Sequence, residues 1–200
     1  MQSPFNNKTE FRSQTFSNLS ELNQDICNIE FDNCHFEDCN FTESIFKKCR
    51  FSECTFSRCN LSVIKVYQSQ FTDVVFNECK ILGVDWTRAA WPRLVFSIAL
   101  KFNQCILNDS SFYGLNLDQM TIEGCKAHDV DFRDGSFRNV NFTYTDFTNS
   151  LFGKTNLVGA DFSEATDYDI DIFNNKIEKA KFSRYEAARL LYSLNIELVD

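Results

Sequence analysis

Residues 31–60 read FDNCHFEDCNFTESIFKKCRFSECTFSRCN, with Phe31, Phe36, Phe41, Phe46, Phe51 and Phe56 five residues apart. Cys34, Cys39, Cys49, Cys54 and Cys59 each stand two residues ahead of the next apolar centre. A period of five matches neither the 3.6 of an α-helix nor the two-residue alternation of a lone strand. The chain must therefore turn after each short extended piece, and short sides joined by regular turns stack into a parallel solenoid.

Working outward, one five-residue register runs from Phe11 to Phe96 with Glu21 as its only polar centre, and a second from Phe102 to Phe182 with Asp167 as its only one. Together 33 of 35 centres are apolar, where the bulk hydrophobic fraction gives about 15 by chance. Twenty of the 22 Phe lie in these registers; Phe5 and Phe173 do not. The residue two before each centre is small or modest: Cys34, Cys39, Ser44, Cys49, Cys54 and Cys59, later Cys105, Ser110, Cys125, Ser150 and Ala160. The chain has only 6 Gly and 2 Pro, so the turns are not mostly made by the usual breakers. Coils spaced at the strand separation of about 4.8 Å give nearly nine coils and a rod of roughly 40 Å.

The registers differ by one residue, because Phe96 and Phe102 are six apart just after AAWPRLV. A one-residue surplus would reverse every later side chain and Pro92 removes a ladder donor, so a short helical or looped insertion is expected near 90–100, with a bend there. After Phe182, Ser183 and Glu186 form a capping-box pattern and Leu190, Leu191 and Leu194 an apolar stripe, predicting an α-helix of about three turns. IELVD follows. The expected organisation is an N-terminal segment at 1–10, the solenoid at 11–182, and a capping or dimerising helix and tail at 183–200, since an open solenoid end must be covered.

No apolar run approaches the roughly 18 residues of a membrane span, and the polar start lacks a signal-peptide pattern, so a soluble, cytoplasmic protein is expected. Nine cysteines without an export signal read as reduced thiols. Folding the numbering modulo twenty stacks Cys39, Cys59 and Cys79, then Cys34 with Cys54, and Cys105 with Cys125, as small buried hydrophobes rather than metal ligands. His35 and His128 lie outward without a neighbouring nucleophile, and no phosphate loop, HExxH or G-x-S-x-G occurs. The expectation is a protein that is not an enzyme, with no cofactor and no metal.

The net charge of −8 opposes direct binding to nucleic acid or anionic lipid and favours basic partners. Residues 1–99 sum to −2, 100–175 to −7 and 176–200 to +1. Modulo twenty, Asp109, Asp129 and Asp169 share a column interrupted by Asn149, with Asp131 and Asp171 beside it and Asp134 and Asp146 nearby. Stacked like charges cost stability, which points to a partner-binding surface; a solvated polar exterior is the plainer account. Two copies joined through Leu190, Leu191, Leu194, Ile196 and Leu198 would make an acidic rod of about 80 Å with the size and sign of duplex DNA.

The repeat appears as C-N-F-T-E, C-R-F-S-E, S-S-F-Y-G and A-D-F-S-E, and in these the chain resembles the pentapeptide-repeat proteins. The stretches ILGVDWTRAAWP, CILNDSSFYGLNL, YDIDIFNNKIEKAKFS and EAARLLYSLNIELVD are similar to albicidin-resistance members of that family, and at greater distance to its quinolone-resistance (Qnr) members. The resemblance implies an all-β solenoid, a right-handed quadrilateral parallel β-helix with four repeats per coil and a short C-terminal α-helix. It further implies a homodimeric DNA mimic that binds DNA gyrase, with topoisomerase IV as a further target, and shields it from a topoisomerase poison such as albicidin. The Qnr branch has two extruded loops, whereas this register shows one slip. An interaction scaffold with an unrelated partner is the alternative, because fold does not fix function; a flat ice-binding face ranks last, since the Thr residues form no regular ladder.

Overall fold

The computed structural model of the chain describes residues 4–5, 8–91, 100–194 and 196. Over these residues the backbone is a parallel β-solenoid of about eight turns, each coil having four short sides. Face 1 stacks Glu10–Arg12, Glu30–Asp32, Arg50–Ser52 and Gln70–Thr72. Face 2 carries Thr15–Ser17, His35–Glu37, Thr55–Ser57, Val74–Asn77, Leu100–Asn103 and Thr121–Glu123. Face 3 is a run of single bridges from Ser20↔Asn40 to Asp146↔Thr166, and face 4 begins with Asp25–Cys27 on Ile45–Lys47 and continues as bridges to Asp131↔Leu151.

The turns follow one rule. The second residue after most centres is left-handed: Asn18, Asp38 and Arg58 have φ of 57°, 53° and 52°. That conformation costs a non-glycine residue about 1–2 kcal/mol. It aims the N–H along the axis at the next coil, as in Asn18 to the Glu37 carbonyl at 2.9 Å and Arg58 to the Asn77 carbonyl at 2.9 Å. Asn and Asp tolerate it best, so a chain poor in glycine can still turn.

Inside, the centres form aromatic columns. Phe16, Phe36, Phe56, Phe76 and Phe102 stack at centroid spacings of 5.1, 4.5, 5.1 and 5.0 Å. Phe11, Phe31, Phe51 and Phe71 do the same at 5.4, 5.0 and 5.1 Å. Phe5, outside both registers, is buried against Phe11, Phe16 and Phe31 and plugs the N-terminal end.

Past the first coil the residue two before most centres is buried, but its backbone N–H still needs an acceptor. Two solutions occur. The N–H of Cys59, Cys79 and Cys105 donates to the sulfur of Cys79, Cys105 and Cys125 one coil on, and that of Cys125 to the Thr145 hydroxyl. Cys49, Val84 and Val130 likewise donate to the hydroxyls of Ser69, Ser110 and Ser150. Elsewhere the N–H closes a turn on its own preceding centre: Ser44 on Phe41, Ser69 on Val66, Ser110 on Leu107, Met120 on Leu117 and Ala160 on Leu157. The residues one coil above these are Ile64, Ala89, Val130, Val140 and Ala180, none of which offers a side-chain acceptor. The left-handed residue at i+2 then completes a type II turn. The interior small residue thus selects the turn beneath it.

Across the interruption, partners are 26 residues apart: Val74↔Leu100 and Phe76↔Phe102. The surplus is six residues, one repeat plus one, where the register suggests a slip of one. A period of five cannot detect an insertion of five. The consequence is that Cys105 and Cys125 extend the Cys39, Cys59, Cys79 column rather than forming a separate one. The expected insertion itself lies in 92–99, outside the described residues.

The last coil departs from the period. Asp167, expected as an inward centre, turns outward with φ 54°, and Tyr168 fills the interior at 0% exposure between Phe162 and Phe182. A carboxylate cannot be buried unpaired among aromatic rings, so the chain advances one residue. The terminal helix is present over Glu186–Leu194 but is 3₁₀, not α. Its capping-box residues bind the solenoid instead of each other: the Ser183 hydroxyl accepts from the Glu164 N–H at 2.6 Å, and a Glu186 oxygen from the Asp167 N–H at 2.9 Å. No helix among the described residues is long and apolar enough to cross a membrane.

Candidate partner-binding surface

The seven predicted acidic residues divide into two groups. Asp109 and Asp129 occupy successive left-handed positions, φ 61° and 56°, at the corner between faces 3 and 4, with Asn149 next. Their N–H groups bond the carbonyls of His128 and Thr148. The column ends there, because the left-handed turn expected at Asp169 is made at Asp167. Asp131 sits on face 4 just beyond that corner, bridged to Ser111 and to Leu151. Asp134 closes the same side, φ 56°. Asp131 and Asp171 are not adjacent rungs, since the exposed Leu151 follows Asp131.

Three of the seven are engaged by neighbouring side chains. Asp131 holds Arg133 through two contacts of 2.9 and 2.8 Å. Burial alone would raise its pKa, but the Arg133 hydrogen bonds outweigh it and hold the carboxyl below its ordinary range. Asp146 lies 2.7 Å from His128 Nε2 and accepts from the Thr148 hydroxyl at 2.7 Å; again burial opposes and these bonds win, lowering the pKa. Asp169 meets Arg189 at 2.9 Å, and the same guanidinium reaches Asp167 at 3.2 Å and Glu186 at 3.5 Å. Among the described residues Asp109, Asp129, Asp134 and Asp171 have no ion-pair partner. Asp109, Asp129 and Asp134 thus leave unpaired charge along the two corners of face 4, while Glu123, also without an ion pair among the described residues, leaves it on face 2.

Sequence reading missed Arg189, whose role is visible only once the helix docks. It also missed a second element. One residue past the face 4 centres stand Lys47, Tyr67, Thr87, Tyr113 and Arg133, and the Arg133 guanidinium lies 6.0 Å from the Tyr113 ring centroid. The six-residue surplus hides this alignment in the sequence, because modulo twenty Lys47 and Arg133 fall in different columns.

The remaining chemistry is quiet. Eight cysteines are buried, and Cys27 is exposed; none is in a disulfide. Burial pushes the Cys49 thiol up to about 11 and that of Cys54 to about 12, so both stay protonated and unreactive at neutral pH. Among the described residues no three metal-type side chains converge.

On the terminal helix Leu190 packs against the core, whereas Leu191, Leu194 and Ile196 are exposed. In a 3₁₀ helix residues three apart eclipse, so Leu191 and Leu194 form one edge and Leu190 leaves the expected stripe. Leu198 lies outside the described residues.

The pentapeptide repeat region family matches residues 29–98 and 84–162, well over half of the chain. This chain belongs to the pentapeptide-repeat family. It is similar to the quinolone resistance pentapeptide repeat protein QnrB96 of Scandinavium goeteborgense, with 28% identity over 136 residues covering 58% of this chain and 64% of that one. The chain thus spans less than two thirds of the curated relative it matches. In fold it is similar to a trypsin-treated QnrB1, a plasmid-mediated fluoroquinolone resistance protein, with TM-score 0.74, 16% identity, and coverage of 94% and 100% of the two chains. A second trypsin-treated QnrB1 gives TM-score 0.66 at 19% identity, covering 100% of this chain and 94% of that one.

Proposed function

We propose that this pentapeptide-repeat protein is a non-catalytic DNA mimic that binds DNA gyrase, with topoisomerase IV as a further target, and shields it from a topoisomerase poison such as albicidin. The observation that carries the reading is the placement of Asp109, Asp129, Asp134 and Asp171 on two adjoining faces of the second half, none of them in an ion pair among the described residues. A rigid stack of carboxylates on a rod offers a basic DNA-binding saddle the charge that phosphates would supply. The similarity to quinolone-resistance relatives supports gyrase as the enzyme. Two copies joining through Leu191, Leu194 and Ile196 would bring the acidic halves together at the middle of a longer rod.

Gyrase supercoiling with increasing protein, with and without albicidin and a quinolone, at two salt concentrations, tests this. Rescue from one drug identifies target and poison, and salt-sensitive inhibition without drug supports mimicry. Asp129→Asn with Asp134→Asn, which keeps side chains suited to the left-handed turn, is expected to weaken the effect about tenfold with little change in thermal stability. If supercoiling and drug sensitivity stay the same throughout, the reading fails and the scaffold alternative replaces it.

A further inference from the structure

We propose that face 4 of the first half carries a second docking site, a basic and aromatic groove that takes a short acidic peptide segment. The groove is open, with a volume of about 510 Å³, and is lined by Lys47, Tyr67, Gln68, Thr87 and Arg88. Lys48 stands at the left-handed corner beside Lys47, φ 55°, and Lys65 lies on the same face, bridged to Ile45. Lys47 and Arg88 thus line the groove with the Tyr67 ring, which is 40% exposed, and Lys48 and Lys65 add two further cations on the same side of the coils.

Among the described residues Lys47, Lys48 and Lys65 have no carboxylate within ion-pair distance. Arg88 does, and this fixes it: Asp85 accepts from the guanidinium at 3.0 Å and from the Thr87 hydroxyl and backbone. The Arg88 carbonyl in turn accepts from the Gln68 N–H at 2.8 Å. The far wall of the groove is thus pre-ordered, and the near wall presents the unpaired Lys47 ammonium, with Lys48 and Lys65 close by in the chain and on the same face. Unpaired cations beside an exposed aromatic ring match carboxylates flanking an apolar or aromatic side chain.

The extent of the patch selects the occupant. From Lys47 to Arg88 is two coils, about 10 Å at the strand spacing, which is the span of about three extended residues. The patch is local: residues 1–99 as a whole sum to −2, and residues 100–175 beyond it to −7. A short acidic segment stays inside the positive region, which extends about one screening length of roughly 8 Å. A long polyanion such as a nucleic acid would run into the repelling half. The same rod thus has an acidic surface for a basic saddle and a basic groove for an acidic segment, on one face but in opposite halves.

The test uses the full-length protein and a fluorescein-labelled hexapeptide, Glu-Glu-Tyr-Glu-Glu-Glu, read by anisotropy at low and moderate salt. A hexathymidylate serves as competitor and a scrambled-charge Lys peptide as control. Salt-sensitive binding is expected, weakened at least tenfold in Lys47→Glu with Lys65→Glu, about threefold in Tyr67→Ala, and unchanged in Lys176→Glu with Lys179→Glu. All these side chains are outside the core, and circular dichroism and a melting curve check that each variant folds. The proposal is overturned if the acidic peptide binds no better than the control, if the Lys47 and Lys65 reversal leaves its affinity unchanged, or if hexathymidylate binds the groove more tightly. Gyrase is not involved, so the outcome is independent of the function proposed above.

Discussion

The two halves of the rod share one period and solve its problems differently. Before the interruption the coils carry ten short strands and a nearly balanced charge, and the thiol ladder that starts there runs on across it to Cys125. After it, most pairings are single bridges, several turns close on their own centres, and acidic residues crowd two faces. The difference teaches that the inner and outer positions are separable. Inner side chains decide how each turn is satisfied, and outer ones are free to carry charge, either basic as at Lys47 and Lys65 or acidic as at Asp129 and Asp134.

The aromatic columns are the strongest common element, so breaking one gives the largest effect. Phe56 is buried at 1% exposure and stacks between Phe36 at 4.5 Å and Phe76 at 5.1 Å. Phe56→Ala is expected to destabilise by about 3–5 kcal/mol through lost burial and an unfilled cavity. Because each coil contacts only its neighbours, the loss should loosen the first half before the second. Hydrogen exchange resolved along the chain checks this. Equal loss of protection in both halves would show that the rod unfolds as one unit.

Much of this architecture was legible in the sequence, because a five-residue register with 33 apolar centres of 35 leaves the chain few ways to bury them. What escaped was whatever the period cannot encode. The six-residue surplus looked like one, since five of the six preserve the register. Asp167 was read as an inward centre, and only the packing of Tyr168 between Phe162 and Phe182 shows the advance. Of the acidic surface, the Asp109 and Asp129 stacking was readable from spacing, but the engagement of Asp131, Asp146 and Asp169 depends on where Arg133, His128 and Arg189 place their side chains. The helix stripe failed for a related reason: spacing suited to an α-helix does not survive winding as 3₁₀.

A smaller effect separates the two ways of satisfying the turns. The Ser69 hydroxyl accepts from the Cys49 N–H at 3.0 Å and donates to the Phe46 carbonyl at 2.9 Å, at 0% exposure. Ser69→Ala removes both contacts and leaves the Cys49 N–H only a turn-closing bond to the Phe46 carbonyl to form, an expected cost of about 1 kcal/mol by urea denaturation. Ser69→Cys should lose much less, because a thiol already serves both roles where Cys79 accepts from Cys59 and donates to the Phe56 carbonyl. If alanine and cysteine behave alike, the ladder is only a row of small side chains, and the contrast in turn chemistry between the halves has no energetic content.

The smallest expected change runs in the stabilising direction and sits on the corner that later carries Asp109 and Asp129. Val63 holds φ 59° there, 49% exposed, with its N–H bonded to the Leu82 carbonyl at 2.7 Å. A β-branched residue is a poor occupant of the left-handed region, and little packing is lost by replacing an exposed one. Val63→Asn should therefore raise stability by about 0.5–1 kcal/mol, read as a shift in the urea midpoint. An unchanged or lower midpoint would mean that backbone strain does not shape this column. The same reasoning bears on the acidic surface, since Asp relieves that strain whether or not its charge is used. Asp129→Asn keeps an amide suited to the left-handed turn and removes only the charge. A loss of gyrase inhibition in that variant, with the urea midpoint held, would assign the column to recognition rather than to turning the chain.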